Sequence, residues 1–156
     1  MTLFNPFIRV TRLLIYQESL RVFDESFHSG LNVNRGHNSS GKSTIMDFVF
    51  YALGGDVHEW KTEASRCSHV YIGVLLNGQE ATFRREVSKK SKRPLRICWK
   101  DPDAALHAGI EEWAEFPYNR SEYKFSFSQV ILRALGFPES LAGNELFGIK
   151  VLRAAL

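Results

Sequence analysis

Nine residues constrain this chain more than any others: Gly36-His37-Asn38-Ser39-Ser40-Gly41-Lys42-Ser43-Thr44. They fit G-x-x-x-x-G-K-[ST], the phosphate-binding P-loop pattern. The flanks agree with it. Leu31-Asn32-Val33-Asn34 alternates apolar and polar residues, as a short strand does. Ile45, Met46, Phe48, Val49, Ala52 and Leu53 recur at helical spacing, and Gly54-Gly55 closes the helix. Strand, loop and helix in that order are the context the motif requires.

The residue types follow from the chemistry of a triphosphate, which needs many donors close together and no side chains in the way. Gly36 and Gly41 permit the backbone angles and the close approach. Asn38, Ser39, Ser40 and Gly41 supply consecutive backbone N–H groups, an anion-binding nest at a helix N-terminus whose dipole adds about half a positive charge. Lys42 is expected to reach the β- and γ-phosphates of ATP. Ser43 is expected to place its hydroxyl on Mg²⁺, which takes oxygen ligands in octahedral geometry. Thr44 is set to touch the α-phosphate.

The run Gly30-Leu31-Asn32-Val33, the P-loop with Asn38 and its small neighbours, and the helix ending Ala52-Leu53-Gly54-Gly55 resemble the N-terminal end of an SMC-like ATPase. That group includes SMC, RecN, RecF and Rad50-type proteins, a branch of the ABC ATPases. The likeness covers residues 7–87 and is loose beyond them. It implies an α/β fold: a P-loop NTPase, an ABC-type head lobe with a mixed sheet and an antiparallel β subdomain. The expected layout is a single N-terminal lobe over 1–156. Its P-loop layer spans about 1–56, its antiparallel sheet about 69–100 and its helical part about 110–156.

The resemblance also implies partners: a second copy or a paralogous head, brought together by ATP, and double-stranded DNA. This style of P-loop is also similar to that of the SMC-like subunit of Lamassu-type anti-phage systems, where a nuclease subunit accompanies the ATPase. A nuclease or accessory subunit is therefore a further expected partner. In such proteins a long coiled coil separates this lobe from a C-terminal lobe carrying Walker B. Neither a heptad run nor a Q-loop, LSGGQ-like signature or Walker B pair is evident here; Leu141-Ala142-Gly143-Asn144 is no signature and Gln129 is a weak Q-loop candidate. The coil and the C-terminal lobe are thus expected to lie outside these residues. Two other classes stay open: a small P-loop enzyme complete in itself, and an adaptor that binds ATP without turning it over.

Along the chain, Phe7–Tyr16 and Leu20–Phe27 read as strands joined by Gln17-Glu18-Ser19. In SMC-like proteins the base and ribose lie against these first strands. Arg12, with its charge, and Tyr16, with its ring, are the candidates for that contact; the alternative is ordinary exposed strand residues. Val22-Phe23-Asp24-Glu25 imitates Walker B, but Arg21 interrupts its apolar run and it precedes the P-loop. Residues 56–68 read as irregular, with Trp60 as an anchor. Within them Arg66 occupies about the place where an SMC arginine acts on the γ-phosphate or on DNA, the alternative being a surface arginine.

Asn77-Gly78 between alternating runs predicts a type I′ hairpin joining His69–Leu76 to Gln79–Val87, with Pro94–Trp99 as a further strand. Seven cations lie between positions 84 and 96: Arg84, Arg85, Lys89, Lys90, Lys92, Arg93 and Arg96. Without aromatics among them, any DNA contact is to backbone and not to bases; a solvated hairpin tip is the plainer reading. Residues 101–109 read as loop, 110–116 as a short helix and Ser126–Leu135 as a helix.

The net charge of +3 permits a nucleic-acid partner without requiring one. Cys67 and Cys98 form no C-x-x-C pair, and the five histidines have no metal-ligand spacing, so structural zinc is not expected. No apolar run is long enough for a membrane span or a signal peptide. The expected setting is a prokaryotic cytoplasm, in association with DNA.

Overall fold

The computed structural model describes residues 5–90, 92–118 and 126–137. Its frame is one six-stranded sheet in the order β2-β1-β3-β4-β5-β6. The strands are β1 (Ile8–Gln17), β2 (Leu20–Ser26), β3 (His69–Leu76), β4 (Gln79–Glu86), β5 (Leu95–Cys98) and β6 (Ala114–Phe116). Three helices accompany them: α1 (Lys42–Ala52), α2 (Pro102–Leu106) and α3 (Phe127–Ala134).

Turn chemistry sets the hairpins. Asn77 and Gly78 both have positive φ, 49° and 85°, as a type I′ turn demands. The turn pins Ile72 opposite Phe83. Side-chain alternation then sorts the faces. Leu13, Ile15, Val70, Ile72, Phe83, Leu95 and Ile97 are buried on the inner face with Phe48 and Tyr51 of α1 and with Phe127 and Ile131 of α3. Phe83 and Phe127 meet edge to face at 5.1 Å. Trp60 anchors the segment after α1, with its ring 4.8 Å from Phe48 and 5.0 Å from Tyr51. Its indole N–H donates to the Ser88 carbonyl at 3.2 Å.

Four expectations are corrected. Every strand pairing among the described residues is antiparallel, so the mixed sheet is not seen; the antiparallel sheet expected over about 69–100 is present as β3, β4 and β5, and β1 pairs directly with β3 to join the first hairpin to it. Leu31–Asn34 is not a strand: Leu31 is 81% and Val33 66% exposed, and no described strand lies beside them to take their hydrogen bonds. Residues 101–109 hold a helix, because the Asp101 carboxylate caps the N–H groups of Asp103 and Ala104 at 3.0 and 3.1 Å and Pro102 presets the first turn. Residues 110–116 form a 3₁₀ turn and then β6, which completes the sheet edge beside β5. The segment 141–144 lies outside the described residues.

The outer face carries α2. There a Cβ at Gly73 would lie 2.4 Å from Pro102 Cγ and 2.6 Å from Thr11 Oγ1. Pro102 is buried, so neither neighbour yields cheaply. Gly73→Ala is therefore expected to destabilise the fold by about 1–3 kcal/mol through overpacking. Urea denaturation should show a lower midpoint with an unchanged slope.

Candidate functional site

The loop 36–41 is shaped by its glycines. A Cβ on Gly36 would fall 2.4 Å from Ser40 Oγ and 3.3 Å from Ser40 Cβ, so with any other residue there the Ser40 side chain must move. The Ser40 N–H donates to the His37 carbonyl at 3.2 Å. Ser39 (φ 66°) and Gly41 (φ 85°) are left-handed, the alternation that makes an anion-binding nest. α1 starts directly after Gly41, with the Ile45 N–H bonded to the Gly41 carbonyl at 3.0 Å. The Lys42 ammonium folds back over the loop, donating to the carbonyls of Gly36 and His37 at 2.6 Å each.

This loop borders a cavity of about 1060 Å³. Asn38, Ser39, Ser40, Gly41, Lys42, Ser43 and Thr44 form one side of it. Ile15, Gln17 and Val22 of the first hairpin form another, and Lys61, Glu63, Ala64 and Cys67 close it. Val22 reaches the cavity because β2 bulges there: Phe23 pairs with Ile15 but Arg21 with Tyr16. Burial pushes the Cys67 thiol above its ordinary pKa, which keeps it protonated and unsuited to nucleophilic attack.

The P-loop residues are thus together in one cavity, whereas Arg12 and Arg66 do not line it. Arg12 belongs to the outer face. It donates to both carboxylate oxygens of Asp24, at 2.7 and 2.9 Å, and to Asp103 at 2.8 Å. Those bonds, that to Asp24 first, hold its guanidinium pKa above the ordinary arginine value. Tyr16 is on the same face, edge-on to Tyr71 at 5.4 Å. Neither side chain lines the P-loop cavity. Arg66 ends the 3₁₀ turn Ala64–Arg66. Asp24, the aspartate of the Walker B look-alike, is committed to Arg12 and Arg21.

Sheet alternation also divides the basic run. Arg85 is buried at 1% exposure, Arg93 pairs with Glu86 and Arg96 with Glu115, while Lys89, Lys90 and Lys92 are exposed in the β4–β5 connection. Sequence reasoning missed Lys61. Its ammonium donates to Ser43 Oγ at 2.5 Å, across 18 positions of sequence. Among the described residues no group of three or more His, Cys, Asp or Glu is arranged to hold a metal ion, and no helix is long and apolar enough to cross a membrane.

A glycine-shaped anion nest at the N-terminus of a helix, with a lysine folded over it, defines a P-loop NTPase site. The chain belongs to the AAA domain family, which it matches over residues 16–132. Over 92 residues it is 32% identical to the DNA double-strand break repair Rad50 ATPase of Thermoplasma acidophilum. That stretch covers 56% of this chain and 10% of the relative, so the chain spans about a tenth of that protein's length. Both likenesses set it among SMC-like ABC ATPase heads.

Proposed function

We propose that this chain is the ATP-binding N-terminal lobe of an SMC-like ATPase that dimerises on ATP and acts on DNA. The observation that carries the reading is the P-loop: a glycine where a Cβ would strike Ser40, left-handed Ser39 and Gly41, and Lys42 over the loop. The donor set suits a triphosphate. Nest and helix dipole favour its negative charge, Lys42 serves the β- and γ-phosphates, and Thr44 serves the α-phosphate. Ser43 is the Mg²⁺ ligand in this reading, and its hydroxyl already attracts a cation, the Lys61 ammonium. When bound, Mg²⁺ neutralises charge on the phosphate oxygens. Ile15, Gln17 and Val22, which line the cavity, form the base and ribose wall in this reading, in place of Arg12 and Tyr16.

Two such lobes, each within a complete head, close over two ATP molecules and reopen on hydrolysis. The name of the Thermoplasma acidophilum relative supports an action on broken DNA. Lys89, Lys90 and Lys92 offer backbone contacts, which makes affinity fall steeply with salt. The test is turnover of ATP by the full-length natural polypeptide, with and without double-stranded DNA, alongside its sedimentation with and without ATP. Mg²⁺-dependent turnover and an ATP-dependent dimer are expected. Zero turnover in both conditions would sink the motor and leave a nucleotide-gated adaptor.

A further inference from the structure

We propose that Lys61 is a built-in counter-cation of the P-loop cavity, holding the Ser43 hydroxyl when no divalent metal is there and giving it up when one binds. The proposal rests on the nucleotide reading of the P-loop and deepens it. Three observations carry it. Lys61 Nζ lies 2.5 Å from Ser43 Oγ, so an ammonium is already at the hydroxyl that a P-loop offers to its metal. The backbone behind it is fixed. Trp60 is packed on Phe48 and Tyr51 of α1, and the Ser65 N–H donates to the Lys61 carbonyl at 2.9 Å. Lys61 is also exposed and lines the same cavity as Lys42, so its role is not that of a packed core residue.

The consequence concerns ATP without metal. A triphosphate in the cavity brings up to four negative charges beside one loop, and two ammonium groups meet it: Lys42 and Lys61. An ammonium at Ser43 sits beside the hydroxyl that would hold a divalent ion, so it supports metal-free ATP. Once Mg²⁺ takes the Ser43 hydroxyl, Lys61 is displaced and contributes little. Lys61 thereby sets how strongly ATP binding depends on metal. This is a binding role confined to the metal-free state, distinct from that of Lys42, which stays with the phosphates in both states.

The experiment titrates a fluorescent ATP analogue into wild-type protein and Lys61→Met, each in EDTA and in excess Mg²⁺. Loss of a charge-assisted contact predicts weakening of about tenfold or more in EDTA for K61M, with affinity in Mg²⁺ within about twofold of wild type. Lys61→Arg should recover part of the EDTA affinity. Because Lys61 is exposed, circular dichroism and melting temperature should not move. A loss that is equal in both conditions, larger in Mg²⁺, or absent from both overturns the proposal. Wild-type protein that binds the analogue in neither condition overturns the nucleotide reading as well.

Discussion

Lys42→Ala should bind ATP about 10- to 100-fold more weakly and leave the fold intact. The Lys42 ammonium is the loop's own cation, and a hydrogen bond to a charged group contributes about 1.5–3 kcal/mol, which is that range of affinity. It makes three bonds now, to the carbonyls of Gly36 and His37 and, longer at 3.4 Å, to Ser40 Oγ, so it both braces the loop and leaves a charge over it. Neither carbonyl is buried, so losing the brace costs the fold little. Gly36→Ala should weaken binding too, by a different route: its Cβ would push Ser40 Oγ aside and crowd Ser40 Cβ at 3.3 Å, while both lysines remain. Calorimetric titration with Mg²⁺–ATP separates the two. K42A loses mainly the charge-dependent part of the affinity, so its binding should vary less with salt than that of wild type, whereas G36A should keep the wild-type salt dependence. Wild-type affinity in K42A would remove Lys42 from the site.

What could be read in the sequence was whatever is written locally. Asn77-Gly78 needs only two residues to specify a hairpin, and the P-loop needs nine to specify its turn and the helix after it. Asp101-Pro102 is equally local, a cap followed by a helix-starting proline, and it outweighs the loop-like composition of 101–109. Leu31–Asn34 failed for a different reason. Alternation describes a face, not a neighbour, and a strand exists only where another strand takes its hydrogen bonds. Arg12 does not line the cavity because strand alternation turns Leu13 and Ile15, one and three positions on, towards α1 and turns Arg12 the other way, to Asp24 and Asp103. Lys61 had no local signal at all. It meets Ser43 only because Trp60 folds back on α1, a contact that no spacing rule encodes.

Arg85→Ala should destabilise the protein by about 3–5 kcal/mol, the largest loss expected of any single substitution considered. On paper Arg85 belongs to a basic, solvated run. In the fold it is the adjacent Arg84 that turns outward, while Arg85 enters the inner face opposite Val70 and Leu95. It donates to the carbonyls of Tyr51 and Gly55 at the C-terminal end of α1, where a helix leaves carbonyls unsatisfied and its dipole favours a cation. Its guanidinium lies 3.9 Å from the centre of the Tyr51 ring, with Asp56 at the 4.0 Å limit of an ion pair. Burial draws its pKa below the ordinary arginine value, yet an arginine stays charged. Truncation to alanine leaves both a cavity and unpaired carbonyls under the helix that carries the P-loop. Arg85→Lys keeps the charge but loses the planar fork and the ring contact, so it should recover only part of the stability. Arg85→Met fills the space without donating, and should fall between alanine and wild type. Urea titration of the three variants orders them. ATP affinity of whatever fraction remains folded then shows whether the anchor at the far end of α1 also holds the nest at its start. If alanine cost less than about 1 kcal/mol, the clasp at the end of α1 would be ornamental, and the helix would be held by its apolar face alone.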